Sequence, residues 1–166
     1  MQEMRATVSF PQVKTTLVAY FKQLSDGEPV ATWRVDMCFP APDGRYHDAF
    51  AVLWPEQERE NTKSVGEFIS ELEDALKVMG LLQAKQFDGE YHKSIGTPGK
   101  WGTYREPMLD VVAANGQANL EISAYSDTFN KFYFTLSFDE ATLAVDAMRG
   151  VPAHGQSLVD TLVALA

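Results

Sequence analysis

Cys38 is the only cysteine in the chain. An intrachain disulfide is therefore excluded, and so is a zinc site built from several thiolates. Basic residues are also scarce. Fourteen Lys and Arg stand against 23 Asp and Glu, a formal net charge of −9. A surface that binds nucleic acid must neutralise phosphates with Lys and Arg, so neither nucleic acid nor an anionic membrane is the expected partner. No run approaches the ~18 apolar residues that a membrane-spanning helix needs. The opening residues, MQEMRATVSF, show no basic stretch followed by an apolar one, so no secretory signal is expected. These features together predict a soluble protein of the reducing cytoplasm.

Catalytic signatures are missing as well. The three histidines, His47, His92 and His154, fall in separate segments with no metal-binding spacing. There is no Gly-x-Ser-x-Gly nucleophile elbow. The stretch IGTPGKWGTYREP, residues 95–107, comes nearest to a phosphate-binding loop, but the match fails twice. Ser94 stands where the first glycine should be, and Trp101 replaces the hydroxyl that would hold Mg²⁺. No helical pattern follows to present its N-terminus to a dinucleotide. The expectation is no catalytic residue, no cofactor and no metal.

What is present is an ordinary globular composition, 45% hydrophobic and 22% charged. A chain of 166 residues predicts one domain, residues 1–166, able to bury roughly 70% of its unfolded surface. Ala6–Phe10 reads as a short strand. Pro11–Leu24 has apolar residues at 13, 17, 18, 20, 21 and 24, near the helical period, with Ser9 and Gln12 as a capping box. ATWRVDMCF alternates as a strand, Asp43-Gly44 marks a turn, and YHDAFAVLW returns. Ser64 and Glu67 form a second capping box ahead of a helix with Val65, Phe68, Ile69, Leu72, Leu76 and Met79 on its apolar stripe. Gly80 is its expected stop, and LLQAKQF the next strand.

Beyond the 95–107 loop, a hairpin turns at Asn115-Gly116 and KFYFTLSF adds a strand, with Tyr133 off its apolar face. A helix capped by Asp139 follows, and a last helix covers Ser157–Leu165. Hairpins outnumber crossovers. The predicted class is α+β, a largely antiparallel sheet of about five to seven strands with helices packed on one face.

Two features invite a partner. Trp101, Tyr104 and Arg105 in the 95–107 loop are residue types enriched at interface hot spots, although aromatic residues in loops more often serve packing. The segment Glu56–Asp74 holds seven acids against Arg59 and Lys63. Glu67, Glu71 and Asp74 fall at helical spacing and predict an acidic face away from the apolar stripe; such a face is either simply solvated or a docking surface for a cationic partner. In general character the chain is similar to bacterial immunity or antitoxin-type inhibitors, though no motif carries that likeness. The expected function is a non-enzymatic acidic domain that occludes a basic protein partner. One alternative is a small-molecule-binding protein or hydrolase-like enzyme, its pocket lined by Trp33, Trp54, Tyr104 and Tyr133 with His47 or His92 for acid–base chemistry. Another is a structural subunit of a phage or secretion assembly.

Overall fold

The computed structural model describes residues 2–41, 50–126, 128 and 130–166. Two four-stranded antiparallel sheets carry the fold, in strand order β1-β2-β3-β4 and β5-β6-β7-β8. The first contains β1 (Glu3–Val8), β2 (Lys14–Lys22), β3 (Val30–Cys38) and β4 (Ala51–Leu53). The second contains β5 (Tyr91–Ile95), β6 (Arg105–Ala114), β7 (Gln117–Tyr125) and β8 (Lys131–Ser137). Helix α1 (Val65–Ala84) connects them; α2 (Phe138–Arg149) and α3 (Val151–Leu165) close the chain. The α+β class and the antiparallel pairing are as the hairpin pattern predicts. The described strands number eight, above the expected five to seven, and they divide into two sheets.

The expected helix over Pro11–Leu24 is strand β2, and the expected capping box at Ser9 and Gln12 is instead the β1–β2 turn, with Gln12 at φ 65°. β2 is an inner strand, paired to β1 on one side and β3 on the other. Leu17 and Ala19 enter the core while Val18 is buried on the opposite face. Burial on both faces fills the polar half of the alternation, and the apolar residues then mimic a helical period. The β-branched and aromatic content of KTTLVAYFK favours the extended form.

Helix α1 begins where its sequence signal lies. Ser64 Oγ accepts from the Glu67 amide at 3.2 Å, and the Glu67 carboxylate accepts from the Ser64 amide at 3.3 Å. Such a cap contributes about 1 kcal/mol. The helix does not stop at Gly80 but runs to Ala84, replacing the expected LLQAKQF strand. Gly80 lies under the Phe138 ring of α2, where a Cβ would make only ordinary contact at 3.7 Å. Helix α2 starts two residues earlier than expected: Ser137 is its cap, in a second capping box with Glu140, and Asp139 lies inside the first turn. Helix α3 starts at Val151 rather than Ser157, with Pro152 in its first turn, where a missing N–H costs nothing.

Asn115 and Gly116 turn the β6–β7 hairpin with φ of 54° and 78°, both in the left-handed region. The expected turn at Asp43-Gly44 lies outside the described residues. β5 was hidden because YHKSI is polar and sits at a sheet edge. Helices α1 and α2 pack on the second sheet and α3 on the first. Buried residues from both sheets and all three helices form one hydrophobic cluster. The second sheet's other face is open: Met108 is 42% exposed and Tyr133 57%. No helix among the described residues is long and apolar enough to cross a membrane.

Candidate functional site

In the 95–107 loop the chain is largely exposed, but its two large aromatic side chains face inward. Trp101 and Tyr104 are both 0% exposed. The Phe39 ring meets each edge-on at 5.8 Å, and Phe68 meets Trp101 at 5.2 Å. Neither presents surface to a partner, so as anchors they are replaced by packing roles: aromatic area this large contributes most when withdrawn from water. Of the three proposed anchors only Arg105 is exposed, at the start of β6. It lines a depression of about 590 Å³ with Asn61, Pro98, Lys100 and Glu106.

The loop's glycines have a specific use. Lys63, 2% exposed, places Nζ 2.7 and 2.9 Å from the two carboxylate oxygens of buried Glu71. The loop closes over this pair. Gly96, at φ 97°, passes so near that a Cβ would lie 2.7 Å from the Glu71 carboxylate; a Cβ on Gly99 would lie 2.7 Å from Lys63 Cγ. Backbone bonds from Lys63 N to Lys100 O (2.8 Å) and from Lys100 N to Asn61 O (2.6 Å) fasten the loop. What resembled a phosphate cradle is thus a lid over an internal ion pair.

This pair also breaks up the expected acidic face. Glu71 lies within the buried stripe of α1, beside Phe68 and Leu72, and does not share a solvated face with Glu67 and Asp74. A carboxylate can occupy that stripe because Lys63 compensates it; unpaired, it would be too costly to bury. Glu67 is exposed but engaged in the cap, and Asp74 is exposed beside Lys77 and Lys93. Elsewhere in the segment Glu58 pairs with Lys22, raising the lysine's pKa through their hydrogen bond, and Glu73 pairs with Arg149 of α2 at 2.9 Å. Three of the seven acids, Glu58, Glu71 and Glu73, are thus ion-paired.

His92 on β5 lies 3.6 Å from Asp110 on β6, and Ser94 Oγ donates to the same carboxylate oxygen at 2.6 Å. The carboxylate stands between the hydroxyl and the imidazole, whereas activating a serine requires the imidazole in the middle. His154 is exposed on α3 and His47 lies outside the described residues. Among the described residues no group of three or more His, Cys, Asp or Glu is placed to hold a metal. The aromatic residues expected to line one pocket are dispersed. Trp33 packs under Gly155 of α3, Tyr104 is in the core, and Tyr133 faces outward from β8.

A groove that sequence reasoning missed lies between the β1–β2 turn and α2. It has a volume of about 760 Å³ and a mostly apolar lining that includes Val8, Phe10, Pro11, Val13, Leu143 and Ala147. Asp146 and Lys14 stand at its polar margin. Leu143 is 59% exposed. The turn is held in place by Gln12, whose side-chain amide donates to Thr135 O of β8 at 2.8 Å and to Glu140 at 3.0 Å. The Ser137 amide and then Gln12 hold the Glu140 carboxyl below the usual carboxylate range. The only sequence signal for this groove was an apolar residue, Leu143, on the side of α2 away from Ala141, Ala144, Val145 and Met148, which are buried.

A scan against protein-family models finds no match, and comparisons with curated proteins and with solved structures find none either.

Proposed function

We propose that the protein is a non-enzymatic binding domain that docks a cationic protein partner, of the kind by which bacterial immunity proteins or antitoxins occlude a basic toxin in the cytoplasm. The observation that carries this reading is the apolar groove between the β1–β2 turn and α2, with Leu143 standing exposed at its edge. An exposed apolar concavity loses hydration when a partner's side chain fills it, and this supplies affinity. The net charge of −9 supplies steering toward a basic surface. Exposed Asp139 and Asp146 place negative charge on the same helix as Leu143. Cys38, buried and outside any disulfide, suits a reducing compartment.

The groove's volume also falls within the ~300–1,000 Å³ of small-molecule sites, so an apolar ligand is the second reading. Affinity purification from the native host separates the two. Wild type should retain a basic protein, released by salt, and Leu143→Asp should lose at least tenfold in affinity while keeping its circular dichroism. Retention of the partner by Leu143→Asp would remove the groove from the interface. Recovery of a small apolar compound without a protein would favour the second reading.

A further inference from the structure

The open face of the second sheet carries its side chains in cross-strand rows. Arg105, Tyr125 and Lys131 form one row across β6, β7 and β8. Met108, Ser123 and Tyr133 form the next. Asp110, Glu121 and Thr135 form the third. A β-bulge between Arg105 and Met108, with Glu106 at φ 50°, brings Arg105 onto this face. The order is therefore cationic, apolar, anionic along the strands.

That order is self-complementary. We propose that this face binds a second copy of the chain, sheet against sheet, about a two-fold axis running along the Met108–Ser123–Tyr133 row. Such an axis reverses the strand direction and leaves each strand over its own equivalent. Arg105 then stands over the partner's Asp110, and Tyr125 over the partner's Glu121. Lys131 stands over the partner's Thr135, one strand from the partner's Glu121. Met108 and Tyr133 each meet their own copies at the centre, where exposed apolar area is most usefully withdrawn from water. An isologous contact requires this kind of self-matching pattern. The competing axis, parallel to the strands, would set Arg105 over the partner's Lys131, and like-charge contact disfavours it.

Strand and residue spacings give the three rows a footprint of about 15 by 20 Å. This is small beside the ~800 Å² per partner of a standard interface, so the dimer is weak, concentration-dependent and sensitive to salt. It uses a different surface from the groove beside α2, and each can fail without the other.

Sedimentation equilibrium up to about 500 μM at low salt tests the proposal, since a contact of this size is expected near the micromolar-to-millimolar range. Wild type should dimerise. Lys131→Glu and Glu121→Lys, both exposed positions, should each weaken association by roughly tenfold or more, because each sets like charges together. Mixing the two variants should restore association as a heterodimer, since the opposite charges then face each other across the axis. Circular dichroism verifies that both variants fold. A monomeric wild type overturns the proposal, as does a dimer indifferent to both substitutions or a mixture that stays monomeric. Were Lys131→Glu instead to abolish capture of a basic protein by a monomeric wild type, the face would belong to that partner and the dimer would be refuted.

Discussion

Lys63 and Glu71 show how little of a residue's role is written at its own position. In sequence, Glu71 belongs with Glu67 and Asp74 on an acidic face; in the fold it is buried against Lys63 with Gly96 over its carboxylate. Removing one charge strands the other in the interior. Lys63→Met should therefore cost about 3–5 kcal/mol, whereas Lys63→Met with Glu71→Leu should recover most of that loss. Urea unfolding of the two variants checks it; equal loss in both would mean that the lid, not the charge pairing, sets the energy. Trp101 teaches the same lesson in an apolar residue. Its glycine- and proline-rich neighbours mark a loop, but its ring lies between Phe39 and Phe68. Local composition reports backbone freedom and does not report which way a side chain turns.

At the scale of elements, the capping box of α1 was legible, whereas the cap of α2 and the burial of the strands were not. The Ser64–Glu67 box is local in sequence and forms as read. β2 mimics a helix in sequence because covering on both faces erases its alternation. Helix α2 offers a test of a cap tied to distant chain. The Glu140 carboxylate accepts from the Ser137 amide and from Gln12, which lowers its pKa below the ordinary value of 4.5. A carboxyl with a depressed folded-state pKa stabilises the fold above its unfolded value, and this contribution is lost as pH falls through the folded one. Glu140→Gln should therefore lower the urea midpoint at neutral pH and by progressively less at acid pH, as the folded-state carboxyl takes up its proton. Equal destabilisation at neutral and acid pH would assign the effect to packing instead.

At the scale of the whole molecule, the two sheets share one hydrophobic cluster, to which all three helices contribute. Neither sheet has a separate core to retain when the other is lost. Urea unfolding followed by tryptophan fluorescence and by far-ultraviolet circular dichroism should give coincident transitions. Separate midpoints would show that the sheets unfold independently. By itself the sequence determined the α+β class, the Asn115-Gly116 hairpin, the start of α1 and the negative charge, because each depends on neighbours along the chain or on simple totals. Only the tertiary structure decided that the strands divide into two sheets, that Trp101 and Tyr104 of the 95–107 loop turn inward, and that Leu143 and Met108 are among the apolar side chains left exposed. Those outcomes depend on which distant segments cover a side chain, and coverage is a property of the packed chain that no local pattern contains.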